Sequence, residues 1–197
     1  MPIAPDRLNE LLAALERQLG RAGGPPASLV VCGGSALAAL GLMARTTRDV
    51  DVLGTVGTRG LGIVVEPLLD LPPALIAAAA LVARDFGLAE DWLNTGPARQ
   101  VAAGLPDALA ERLVRRDYGP SLTVYFIGRL DQVHFKLYAA VDRDDYHTQD
   151  LLALNPTADE LLLAARWTLT QDVSAPFRES LKTFLEVHGY ADVAARA

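Results

Sequence analysis

The chain has 197 residues, 51% hydrophobic and only 21% charged, which excludes a disordered chain and allows one domain, or a domain with a small appendage, with a real core. Its formal net charge of −6 provides no general attraction to nucleic acid, so binding of that kind would need a local basic patch. A single cysteine, Cys32, excludes an internal disulfide, and its place in an apolar run reads as a buried, inert thiol.

Charged residues interrupt the N-terminal segment early, so no secretory leader is expected. The longest apolar stretch, 71–83, holds two prolines and is too short for a bilayer. The expectation is a cytoplasmic protein without a membrane partner.

Leu8, Leu11, Leu12, Leu15 and Leu19 recur at helical spacing and predict an amphipathic helix over 6–22, with Asp6 as N-cap and Gly23-Gly24-Pro25-Pro26 as its stop. An apolar β-type run over 29–32 breaks into Gly33-Gly34-Ser35, and a helix is expected over 35–43. Arg45-Thr46-Thr47-Arg48 leads into a second strand carrying Asp49 and Asp51. Residues 54–62, with four glycines and no periodicity, read as a mobile loop, followed by a short strand at 63–65. Pro72-Pro73 opens a helix through 86, which Gly87 ends.

The segment AEDWLN, 89–94, reads as a third strand, and a short helix is expected from about 105–107 to near Arg116. LTVYFI, 122–127, is the best later strand, being β-branched and aromatic. Helices are expected over 130–141, with Val133, Leu137 and Ala140 on one face, and over 145–154, 157–171 and 175–188. Thr157 with Glu160 makes a capping box, and Pro176 sits in a first turn. This order predicts an α+β protein: a small mixed sheet with packed helices over 1–128, then a C-terminal helical part over 129–197.

The chemistry concentrates in LVVCGGSALAALGLMARTTRDVDVL. Glycine lets a backbone approach an anion closely, and a helix opening there turns N–H groups toward the same place. Aspartates at i and i+2 on a strand share a face, with Cα atoms roughly 6.5–7 Å apart. Two hard oxygen ligands at that spacing suit Mg²⁺ or Mn²⁺, metals that hold triphosphates. Alone, an Asp-x-Asp pair is a weak signal of this chemistry; two surface aspartates at a strand start look the same.

The arrangement resembles the nucleotidyltransferase superfamily of the polymerase-β-like fold. That family's signature is Gly-Gly or Gly-Ser, a spacer, then Asp-hydrophobic-Asp-hydrophobic. Here Gly34-Ser35, the thirteen residues 36–48 and Asp49-Val50-Asp51-Val52 take those places. Within the superfamily, GGSAL followed by RTTRDVDVL is similar to the AbiEii-like abortive-infection toxins. The resemblance implies Asp49 and Asp51 as catalytic metal ligands and Gly33, Gly34 and Ser35 as the triphosphate seat. The substrate would be a nucleoside triphosphate, the acceptor RNA or protein, and a cognate antitoxin a partner. Either Arg48 or Arg45 is a candidate for neutralising a phosphate; a solvated loop capped by hydroxyls is the plainer reading.

A third carboxylate usually completes this chemistry. The 122–127 strand carries no acid, which leaves Asp91 by order along the chain, or Glu66 after the glycine-rich segment. The run DQVHFKLYAA, then Arg143-Asp144-Asp145 and Asp150-Leu151, is similar to the toxin-type pattern that follows the sheet. By that likeness Lys136 would contact phosphate, and Asp150 would position Lys136 or Arg143. The plain alternative is a helix with an exposed Lys136. His134, His147 and His188 lack ligand spacing, and Trp92 and Trp167 read as core, Trp92 keeping a base-stacking alternative through its neighbourhood.

Overall fold

The computed structural model describes residues 2–44, 46–60, 62–101, 103–143 and 146–197. Among these, eight α-helices and a mixed six-stranded sheet make an α+β fold. In chain order these are α1 (Pro5–Ala22), β1 (Ala27–Cys32), α2 (Gly33–Ala39), β2 (Val50–Arg59), β3 (Gly62–Pro67), α3 (Pro73–Phe86), β4 (Leu93–Asn94), β5 (Val114–Gly119), β6 (Leu122–Phe126), α4 (Arg129–Arg143), α5 (Tyr146–Ala153), α6 (Ala158–Gln171), α7 (Ala175–Val187) and α8 (Ala191–Ala194). Two compact units result, one of residues 1–100 with 108–128, the other of 101–107 with 129–197.

In the first unit the main sheet order is β3-β2-β1-β6-β5, with β4 paired to the start of β2. The β1–β6 and β2–β4 ladders are parallel; the β1–β2, β2–β3 and β5–β6 ladders are antiparallel. Leu29 and Val31 of β1, Val50 and Val52 of β2 and Val124 of β6 share one core with Leu8, Leu11, Leu12 and Leu15 of α1 and Leu75, Ala78 and Val82 of α3. Each leucine removed from water there contributes about 1.5–3 kcal/mol, so the leucine spacing of α1 is what seats it. The cap differs from expectation. Ala4 is the N-cap and makes no side-chain cap bond, while Asp6 lies in the first turn, where its charge still suits the helix N-terminus.

Four other elements depart from the sequence reading. Residues 54–59 are strand, not loop. Gly54 approaches the Glu66 carbonyl so closely that a Cβ there would collide, and a Cβ on Gly57 would lie 3.1 Å from Glu66 Oε1. The glycines therefore permit close strand contact beside an irregularity at Val30/Val31, rather than looseness. The third strand shrinks to Leu93–Asn94, because the Trp92 amide donates back to Ala89 O at 3.2 Å and closes a turn over Asp91. Helix α2 covers 33–39, not 35–43: Gly41 is left-handed at φ 67, and Arg116 caps the Ala39 carbonyl at 2.6 Å. The helix expected to end near Arg116 is a 3-10 turn, Leu109–Arg112, followed by edge strand β5. Its Arg115 and Asp117 are the charged residues that edge strands tolerate.

The second unit follows expectation closely. The Thr157 capping box is present, and Ser174 caps α7 with Pro176 in its first turn. Trp167 packs against Phe135, Tyr138 and His134, ring centroids 5.3, 6.1 and 5.8 Å away, and donates its indole N–H to Gly104 O at 3.2 Å. Arg129, opening α4, donates to Glu160 Oε1 at 2.6 Å and to the carbonyls of Leu154 and Asn155 at 2.7 and 2.9 Å. No helix among the described residues is long and apolar enough to cross a membrane.

The Arg129 hydrogen bond holds the Glu160 carboxyl below its ordinary 4.5, assisted by the Thr157 amide and opposed by burial. A depressed carboxylate stabilises above its unfolded value and loses that stabilisation as pH falls through the folded one. Glu160→Gln is therefore expected to cost about 1 kcal/mol at pH 7, the scale of a partly exposed ion pair, and progressively less below pH 4.5. Urea midpoints of the two proteins across that range measure it; a gap that does not narrow with acid counts against the assignment.

Candidate functional site

Antiparallel pairing sets the end of one strand beside the start of the next, and here Cys32 stands opposite Asp51. The turn leaving Cys32 must then pass the Asp51 side chain. Gly33 does so with φ 68, in the left-handed region, and a Cβ added to it would lie 2.5 Å from Asp51 Oδ2. Glycine is demanded twice, by conformation and by space. Cys32 is itself buried, 2% exposed.

Ser35 is fully buried and donates its hydroxyl to Cys32 O at 3.2 Å, closing the turn from inside. What the Gly33-Gly34-Ser35 turn can offer an anion is accordingly its backbone, since α2 is only seven residues long.

Asp49 directly precedes β2 and is half-buried. Burial raises its pKa above the ordinary carboxylate value; the Thr47 hydroxyl pulls it back down, the nearby Asp91 charge raises it again and Arg48 lowers it. Asp91 thus joins Asp49 electrostatically, but from an exposed turn rather than from a strand. The residue paired to Asp51 on β4 is Asn94, whose Oδ1 accepts from the Gly96 amide at 2.9 Å. Glu66 stands opposite Thr55, four residues along β2 from Asp51 and so roughly 13 Å away. Arg48 is exposed beside Asp49. Arg45, Asp144 and Asp145 lie outside the described residues.

Lys136 and Asp150 belong to the second unit and pair with each other, Nζ to Oδ2 at 2.6 Å, with side chains only 5% and 2% exposed. The ammonium also lies 5.4 Å from the centre of the Tyr146 ring. Lys136 is therefore not the exposed lysine of the plain reading, and Asp150 orients Lys136. Trp92 is fully buried and donates to Ala79 O at 3.0 Å, which removes the base-stacking alternative. Sequence reasoning overlooked Thr47 as a partner of Asp49, although a hydroxyl two residues ahead of an acid is a local hydrogen-bonding pattern that could have flagged it.

The donor set can be tested against a metal. Among the described residues no three His, Cys, Asp or Glu side chains gather closely enough to cage an ion. Mg²⁺ does not require a cage, because it keeps several waters and takes one or two carboxylates plus substrate phosphates. Asp49 and Asp51 are two carboxylates of that kind by residue type and spacing, although Asp49 stands just ahead of β2 rather than on it as expected, and the burial and Asp91 charge that disfavour ionised Asp49 are what a cation there would offset.

Gly33→Ala is expected to cost about 2 kcal/mol through left-handed strain and the Asp51 approach, whereas Gly24→Ala, at an open position with ordinary φ, stays within about 0.5 kcal/mol. Urea unfolding distinguishes them; equal effects count against the contact. Breaking the buried pair by Lys136→Met or Asp150→Leu is expected to cost about 3–5 kcal/mol, and Lys136→Met/Asp150→Leu to recover most of it. Full additivity in that cycle would show that the two charges do not depend on each other.

Comparison of the chain with protein-family models, with curated proteins and with solved structures found no match.

Proposed function

We propose that the chain is a Mg²⁺-dependent nucleotidyltransferase, moving a nucleoside monophosphate from a triphosphate to a hydroxyl of RNA or protein. The observation that carries the reading is the contact of Gly33 with Asp51, which joins the glycine turn to the second aspartate of Asp-Val-Asp across seventeen intervening residues. A turn whose backbone tolerates an oxygen at such close range suits a phosphate next to a carboxylate-held cation. Its likeness to AbiEii-like proteins extends the proposal to a cytoplasmic toxin with a cognate antitoxin.

Asp49 and Asp51 would hold the ion, and bound Mg²⁺ would supply charge neutralisation at the phosphates. The turn would orient the triphosphate through its amides. Asp49 binds best as the ionised form, which Thr47 and Arg48 favour. Asp91, beside Asp49, is the carboxylate available to accept the proton of the attacking hydroxyl.

A second reading, a catalytically silent member that binds a nucleotide or a partner protein, is favoured by a specific feature. Strand β6, hydrogen-bonded to β1, carries no acid.

The deciding experiment incubates purified protein and Mg²⁺ with each α-labelled nucleoside triphosphate and with total RNA and protein as acceptors. The enzyme reading expects label in one acceptor class with wild type, reduced ~100-fold or more by Asp49→Ala/Asp51→Ala, the scale of losing a principal charge stabiliser. Triphosphate binding with no label in either acceptor selects the silent module instead.

A further inference from the structure

We propose that Thr47 is the positioning residue of the Asp49 carboxylate, and that the segment ahead of α1 holds Thr47 to that task. The inference about geometry stands alone; its catalytic consequence rests on the reading of Asp49 as a metal ligand.

Asp49 lies outside the β2 ladder, so strand pairing does not fix its side chain. Both backbone polar groups of Thr47 are tied to Ile3. Ile3 N donates to Thr47 O at 2.7 Å, and Thr47 N donates to Ile3 O at 3.0 Å, an isolated antiparallel bridge far from either residue's sequence neighbours. Ile3 is itself 1% exposed and part of the core that contains the α1 leucines. Thr47 is 8% exposed, so its backbone is pinned and its surroundings are packed.

On a pinned backbone with packed surroundings, the hydroxyl is turned toward its two acceptors. Thr47 Oγ1 faces two acceptors, Asp49 O at 3.2 Å and Asp49 Oδ1 at 3.4 Å. One proton shared between a carbonyl and a carboxylate gives two long bonds rather than one short one. The contact to the carbonyl alone would be an ordinary local turn. Its extension to Oδ1 selects an Asp49 rotamer. Thus a route of contacts runs from the core through Ile3 and the Thr47 backbone to a carboxylate oxygen.

The test uses isotopically labelled full-length protein as wild type, Thr47→Ser, Thr47→Val and Thr47→Ala, reading χ1 of Asp49 from three-bond N–Cγ and C′–Cγ couplings. Wild type and Thr47→Ser are expected to show one rotamer, and Thr47→Val and Thr47→Ala averaged couplings with the remaining amide spectrum retained. Either hydroxyl-free variant showing unaveraged wild-type couplings overturns the proposal. A Mn²⁺ titration followed by electron paramagnetic resonance, with Asp49→Ala/Asp51→Ala as reference, reads the consequence. Binding about tenfold weaker in Thr47→Val than in Thr47→Ser is expected, the low end for loss of an outer-shell partner. If wild type binds Mn²⁺ no better than the double variant, the metal reading fails, and the couplings still decide the role of Thr47.

Discussion

Asp51 stands opposite Cys32 in the antiparallel ladder between β1 and β2, and the chain leaving Cys32 has to turn past the Asp51 carboxylate. Around that constraint the first unit is ordered. Only glycine passes, because the turn is left-handed and an oxygen occupies the place of a Cβ. The helix that follows starts at Gly33 and stops after two turns, so the chain returns to β2 through a loop that needs its own anchor. Ile3, just ahead of α1, supplies one through its bridge to Thr47. The aspartates therefore sit where a strand end, a glycine turn and the segment ahead of the first helix meet.

The helical unit depends on a different kind of bond. Lys136 and Asp150 are both almost wholly buried, and neither charge could remain there without the other. Such a pair adds little net stability over apolar residues of similar size, yet it dictates how α4 and α5 must meet. Arg129 and Glu160 do comparable work at the edge of the same unit, where water reaches them. There one guanidinium satisfies the carbonyls that end α5 and the carboxylate that caps α6. Oppositely charged pairs thus specify packing when buried and adjust helix ends when half-exposed.

Elements whose signal is local could be read in the sequence. The leucine spacing of α1, the Thr157–Glu160 box, Pro176 and the β-branched run of β6 each act within a few residues of themselves, and the structure has all four. Gly54–Arg59 misled because glycine scarcity in strands is a propensity, whereas here close approach to the Glu66 backbone decides. AEDWLN misled for the opposite reason. Trp92 prefers a core position beneath α3, and burying its ring bends the chain into a turn that leaves Asp91 off the sheet. At the site, Gly33, Asp49 and Asp51 were visible as types and spacing. The neighbours that act on them, Thr47, Asp91 and Ile3, were not, apart from Asp91 as a guess from chain order.

The sequence by itself determined the mixed class of the fold, the strong helix boundaries and the glycine turn and Asp-Val-Asp that make a candidate site. These are carried by periodicity, caps and residue type, which operate over a few residues. Tertiary structure alone decided that Cys32 faces Asp51, that Ile3 grips Thr47, and that Lys136 is spent on Asp150. Those outcomes depend on strand register and on which buried charges can find each other, and both are settled only when distant segments compete for the same space.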